Sequence, residues 1–375
     1  MSELCSRESM KFKFFWLLVA LLGFSPVQTV KAVVIDDLYT VALMVSDQTA
    51  DLRLEAFEAA FDLVLIKVSG SDEAQKSPAI LRLAKKSSRF VKQFSYESRP
   101  GINDEGGATK ILYLKVNFDQ QLIEQLLRKY NFPIWGRERP SSLLVINSQS
   151  GETIHIVTGD SAPKMVELLD DAALKMGVPT LLPLMDLEDI SLVDASDVTK
   201  RDFNVINNMA TRYWPDALVV GEIVELDPEH WQGAWEVRFA DQIFEWRHSA
   251  SNQKDILDQL IAHLASVLAL EYALEYHQRN EQELLLRVSS MQGISPLILV
   301  QKYLGSLNVV ESVRVALISK KEVTFYLKLR NTVEDLQKLI NIGNVLEQQG
   351  LPQVDLQSNG AAVINYDFIS RGLSN

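Results

Sequence analysis

The chain is almost without cysteine. Cys5 is the only one in 375 residues, and it lies upstream of the apolar run from Phe14 to Phe24. A chain that loses its start keeps no thiol, which excludes disulfides and thiolate metal sites from the remainder. Freedom from thiols suits an oxidising compartment, where a stray one could mispair. Long apolar runs are also missing. Past Phe24 no stretch approaches the roughly 20 apolar residues that span a bilayer, so no transmembrane segment is expected in the remainder. Catalytic signatures are absent too. His155, His230, His248, His263 and His277 form no His-x-x-x-His pair, and His155 and His263 sit among apolar neighbours as core or rim residues. There is no Gly-x-Ser-x-Gly elbow and no glycine-rich phosphate loop. The sequence therefore supports no enzyme assignment and calls for no cofactor and no metal.

Basic charge is the last shortage: 37 Lys and Arg stand against 49 Asp and Glu, a net charge of −12.

What is present begins with a leader. Lys11 and Lys13 precede Phe14–Phe24, Pro26 breaks the run, and Val30-Lys31-Ala32 follows. A basic region, a short apolar run and small residues at the −3 and −1 positions predict a secretory signal peptide over 1–32, cleaved after Ala32. The alternative is an uncleaved N-terminal anchor. Val33, not Cys, follows Ala32, so a lipoprotein signal is excluded. Met10 could be the true start. Cleavage removes four basic and two acidic residues, leaving 33 and 47 and a net charge of −14 over 343 residues. Such a surface repels nucleic acid and anionic lipid headgroups. The length predicts two or three domains.

Three modules are expected, with an α+β or α/β fold class. The first, 33–132, opens with a strand at Leu38–Val45. Leu54, Phe57, Phe61, Val64 and Val68 then recur at spacings of 3 and 4, an amphipathic helix stopped by Gly70. A helix starting at Ser77-Pro78, strands around Phe94–Tyr96 and Leu112–Phe118, a loop over 99–107 and a helix capped by Asp119 complete it. In that last helix Leu122, Leu126 and Tyr130 are expected to face inward. The second module, 141–276, reads as a mixed sheet. A hairpin turns at Ser150-Gly151, a helix runs over 161–176, and Leu181–Met185 is a short buried strand. A helix over 203–213, a buried strand from Asp216, two strands carrying Trp235 and Trp246, and a helix bearing Ile256, Leu260, His263 and Val267 follow. The third, 283–368, has the order βαββαβ of a ferredoxin-like arrangement, with Ser295-Pro296 starting its first helix, Gly305 ending it and Thr332 capping its second.

The connection between the first two modules is unusual. Tyr130-Asn-Phe-Pro-Ile-Trp-Gly-Arg-Glu-Arg-Pro140 carries aromatic and aliphatic mass that a tether would not need. Asn131 and Pro133 end the preceding helix and Gly136 permits a turn. The stretch predicts a packed corner, with Arg137 and Arg139 pairing nearby carboxylates. The competing reading is a ligand-binding loop contacted by Trp135, Arg137 and Arg139. Asp186-Leu-Glu-Asp189, beyond the Leu181–Met185 segment, is the other candidate, with Asp186 and Asp189 as contacts. The calcium-loop spacing is missing there, so capping of a short helix is the plainer role. Lys85, Lys86, Arg89 and Lys92 form a basic patch, mostly on one helical face. Trp231 and Trp235 are a possible docking stripe, Trp235 reading as core.

The segment Phe132-Pro-Ile-Trp-Gly-Arg-Glu-Arg-Pro140 resembles the most recognisable motif of an uncharacterised family of exported proteobacterial proteins, defined by a domain of unknown function. Asp36-Asp-Leu-Tyr39 with Asp47-Gln48, Lys67-Val-Ser-Gly70, Leu182-Pro-Leu-Met-Asp-Leu-Glu-Asp189 and Asp216-Ala-Leu-Val-Val-Gly221 resemble its pattern as well. The likeness covers most of the chain after the leader, least in the third module, and Asn131-Phe132 departs from it. It implies export and a shared fold, and it carries no active site. The order of the middle module is similar to α/β domains of envelope assembly proteins. A periplasmic, non-enzymatic protein docking unidentified envelope partners is the expected function. The alternatives are a binder of a small or cell-wall ligand near Trp135 and Asp186, or an unrecognised hydrolase.

Overall fold

Twenty residues with one apolar stripe form the first long element. The computed structural model describes residues 33–35, 37–102, 108–239, 241–274, 282–343, 345–349 and 362–369, so the leader lies outside them. After β1 (Val33–Val34) and β2 (Thr40–Met44) comes α1 (Ala50–Ser69). It buries Phe57, Phe61, Val64 and Val68, while Leu54, at the head of the predicted stripe, stays 55 % exposed. Gly70 caps it at φ 76°, its N–H returning to the Ile66 carbonyl. The short α2 (Glu73–Lys76) and α3 (Pro78–Ala84) precede β3 (Val91–Ile102) and β4 (Ala108–Phe118).

These strands form the antiparallel sheet β2-β4-β3. Its pairing continues to Ile102 opposite Ala108, so residues 99–102, expected in a loop, are strand; 103–107 lie outside the described residues. Asp119 accepts from Leu122 N at 3.0 Å and starts α4 (Gln120–Lys129). Ile123, Leu126 and Leu127 face the core and Leu122 faces out, a rotation of one residue from the expected stripe.

β5 (Glu138–Arg139) pairs with β1. The second sheet begins with β6 (Ser142–Ser150) and β7 (Thr153–Ile156), hinged at Gly151. Then follow α5 (Pro163–Met176), β8 (Thr180–Leu181), α6 (Leu187–Leu192), α7 (Ala195–Lys200) and α8 (Phe203–Ala210). The strands β9 (Ala217–Asp227), β10 (His230–Phe239) and β11 (Gln242–Ala250) lead to α9 (Gln253–Tyr272). The sheet order is β11-β10-β9-β6-β7, with β8 also beside β6. β6 runs parallel to β8 and β9, and the remaining pairs are antiparallel. Leu144 and Ile146 face one core with α5 and α9, whereas Leu143 and Val145 face another with α8. Burial on both faces explains the unbroken apolar run. The buried strand expected at Leu181–Met185 reduces to Thr180–Leu181, because Pro183 turns the chain out and Leu184 is 69 % exposed.

The third sheet contains β12 (Gln282–Ser289), α10 (Ile294–Ser306), β13 (Val310–Ile318), β14 (Val323–Leu329), α11 (Val333–Ile342), β15 (Leu346–Gln348) and β16 (Ala362–Phe368). Thr332 and Asp335 form a reciprocal capping box at the start of α11. Gly293, not Ser295, caps α10, which runs past Gly305. The order is β13-β14-β12-β16-β15. Of the first three strands, β14 lies between β12 and β13 and antiparallel to both. A crossover from β14 should then bring in a strand antiparallel to β12. The short β15 takes that direction at the edge, and β16 turns back between them, parallel to β12. These three sheets and the two-stranded β1–β5 sheet belong to one compact unit, Ala32–Asn375.

Candidate functional site

The corner is built around a guanidinium. Arg139 and Trp135 are both fully buried, and the Arg139 Cζ lies 3.8 Å from the Trp135 ring centroid. Arg139 Nε donates to Gly136 O at 3.0 Å. Nη1 donates to Met176 O and Gly177 O at 3.1 Å each, and Nη2 to Lys67 O at 2.6 Å and Trp135 O at 3.0 Å. Five N–H donors thus meet five carbonyls. Lys67 belongs to the last turn of α1, and Met176 and Gly177 end α5. The charge is balanced by the negative ends of two helix dipoles instead of the predicted carboxylate.

Trp135 N donates to Val68 O at 2.7 Å, and Ile134 exchanges two 3.0 Å hydrogen bonds with Leu274, just past α9. From the third module, Asn308 Nδ2 donates to Ile134 O at 2.8 Å. Asn131 ends α4 with φ 57°, as a terminator should. The corner is therefore packed as expected. Trp135 and Arg139, two of the expected ligand contacts, are fully buried and offer no free surface. Arg137 is half-buried, donates to Gln120 Oε1 at 3.3 Å and lies 5.7 Å from the Tyr39 ring.

Titratable groups crowd this junction. Burial pushes Arg139 down to about 9, which leaves it charged at neutral pH. Lys67 is buried beside it and donates to Asp37 O at 2.9 Å; burial and then Arg139 push its ammonium down to about 8, against Asp37. Glu138 is buried as well, and burial lifts its carboxyl to about 7 against the pull of Arg137. Burial and the nearby Glu124 carboxylate hold the Tyr39 hydroxyl well above its usual range; it donates to Glu124 Oε1 at 2.7 Å.

The acidic loop is a separate knot. Asp186 caps α6 by accepting from Glu188 N and Asp189 N, both at 3.1 Å. Arg212, past the end of α8, grips both Asp186 oxygens at 2.6 Å and Asp189 Oδ1 at 3.0 Å. Tyr213 Oη and Met185 N donate to the other oxygen of the fully buried Asp189. Arg212 holds the Asp186 carboxyl far below its usual range, while burial and Asp189 raise Tyr213 to about 12. The plain capping role holds for Asp186, and the oxygens of both acids are already engaged. Asp194, with Asp197, caps α7. Among the described residues no group of three or more His, Cys, Asp or Glu is placed to hold a metal ion.

The basic patch does not share a helix face. Lys85 and Lys86 follow the end of α3, Arg89 sits in a 3₁₀ turn and Lys92 in β3. Trp235 is core and Trp231 half-buried. His263 lies at the surface, stacked on Trp246 at 4.7 Å with its Nδ1 3.1 Å from His248 Nε2.

A cleft near Trp214 was not anticipated from the sequence. It lies between the end of α8, the start of β9 and the β10–β11 turn, holds about 640 Å³ and is overhung by Trp214, which is 74 % exposed. Trp214 takes φ 47°, a conformation that costs a bulky residue on the order of 1–3 kcal/mol. The only sequence signal was a tryptophan before Pro215 in a short connection.

A domain of unknown function (DUF8605) spans residues 32–136, the first module and the corner as far as Gly136. No curated protein matches the chain. Among solved structures, a prolyl-tRNA synthetase from Cryptosporidium parvum complexed with L-proline and AMP is 9 % identical over 78 % of this chain and 69 % of that one. Its TM-score of 0.18 is too low to carry an argument.

Proposed function

We propose that this is an exported, periplasmic protein that works without catalysis, presenting three modules in one fixed arrangement to envelope partners. The observation that carries the reading is Arg139. Its five hydrogen bonds tie the ends of α1 and α5 to the corner, and Asn308 and Leu274 attach there too. A buried guanidinium is a costly way to join modules that need no fixed geometry. Export is supported by the leader and the thiol-free remainder. The domain match beginning at residue 32 and the pairing of β1 at Val33 also agree with cleavage after Ala32. No helix among the described residues is long and apolar enough to cross a membrane.

Of the contacts assigned to the ligand-binding alternative, Trp135 and Arg139 are buried, Asp186 and Asp189 are engaged within the protein, and Arg137 is half-buried. Two experiments test the proposal. A C-terminal reporter enzyme active only outside the cytosol should be active; silence despite normal expression rejects export. Cross-linking in living cells should then recover a discrete envelope partner from the wild-type chain. Recovery of none rejects docking.

A further inference from the structure

We propose that the cleft beside Trp214 binds a neutral carbohydrate. This goes beyond the docking reading and does not depend on it. At about 640 Å³ the cleft falls within the range of small-molecule sites. Leu218 and Phe239 give it an apolar floor, while Asn207, Thr211 and Gln242 supply amide and hydroxyl groups to its walls. Trp214 lines it with a side chain left largely in water, whereas Trp135 and Trp235 are fully buried. The backbone at Trp214 is left-handed, so the fold holds an exposed indole in a costly conformation at the mouth of a cavity.

The charges lining the cleft decide the ligand class. Arg238 Nε donates to Glu236 Oε1 at 2.9 Å, and its Cζ lies 3.3 Å from the Phe203 ring centroid, so its charge is matched within the protein. Asp216 accepts from Ser141 N at 2.7 Å and from Ser141 Oγ at 3.0 Å. That leaves two negative charges that no cation matches, Asp216, whose Ser141 donors are neutral, and Asp241 at the exposed β10–β11 turn, and both repel anions. The net charge of −12 acts against phosphates in the same direction. A suitable ligand is uncharged, has a flat apolar face for the indole and carries many groups that both donate and accept. A pyranose ring has these properties: its C–H face can lie on Trp214 while its hydroxyls reach the amides.

The test is calorimetric titration of the whole chain with maltotriose, cellotriose and tri-N-acetylchitotriose. At least one should bind saturably at micromolar to millimolar concentration. Trp214→Ala should weaken that binding roughly tenfold or more, and Trp214→Phe, which keeps a stacking face, by much less. Asn207→Ala and Gln242→Ala should each weaken it several-fold. Because Trp214 is mostly exposed, its variants should keep the wild-type circular dichroism spectrum. Absence of binding by all three sugars overturns the proposal, and so does binding that Trp214→Ala leaves unchanged.

Discussion

Replacing Arg139 by Met should destabilise the protein by about 3 kcal/mol. The variant keeps most of the side-chain length and apolar stem but leaves the carbonyls of Lys67, Trp135, Gly136, Met176 and Gly177 without this donor. A buried acceptor that loses its donor costs about 1 kcal/mol at the low end, so five approach about 5 kcal/mol. Losing the contact with the Trp135 face adds about 1 kcal/mol. The opposing term is desolvation of the guanidinium, several kcal/mol, which Met does not suffer. Arg139→Lys keeps the charge but has three donors on one nitrogen, and it should still lose about 2 kcal/mol. Urea denaturation of residues 33–375, followed by circular dichroism and tryptophan fluorescence, measures this as a fall in midpoint of about 1 M for Met. A Met variant within about 0.5 kcal/mol of wild type, well below the loss worked from these hydrogen bonds, would refute the reasoning.

Other outcomes follow from the same junction. A Cβ on Gly70 would sit 2.4 Å from Ala269 Cβ and 3.0 Å from Trp135 Cε3, and φ is 76°, so Gly70→Ala should cost about 3 kcal/mol in the same denaturation assay. Glu138, lifted from 4.5 to about 7, binds more protons folded than unfolded in that window, so it withdraws stability as pH rises through it. The melting temperature of Glu138→Gln should therefore gain on wild type between pH 5 and pH 8, by the equivalent of about 2 kcal/mol; a constant difference would contradict this. Lys67, lowered from 10.5 to about 8, binds fewer protons folded than unfolded, so its contribution to stability should rise between those pH values. Comparing Lys67→Met with wild type from pH 7.5 to pH 10 checks that slope.

Periodicity made much of the fold legible. The stripe of α1 and the caps Asp119, Asp186 and Thr332 each follow from a few adjacent residues. Strand direction in the third sheet was not legible, because it turns on the three-residue β15 at the edge, too short to leave a pattern. The corner was readable as packed from Ile134, Trp135 and the flanking prolines. The partners of Arg139 were not, since they are carbonyls that any sequence supplies, brought in from 72 and 38 positions away. Carboxylates were the expected partners, and for Arg139 helix ends take their place. The exposure of Trp214 depends on how α8 meets Asp216, where Ser141, just before β6, fixes the chain. No local rule would have placed that indole at a cleft.

Fixed mutual placement of the three modules is the claim on which the rest turns, and scanning calorimetry of residues 33–375 tests it most directly. A corner that locks the sheets together predicts one unfolding transition whose calorimetric and van't Hoff enthalpies agree. Two or three resolved transitions, or a calorimetric enthalpy well above the van't Hoff value, would show modules that melt independently and would contradict it.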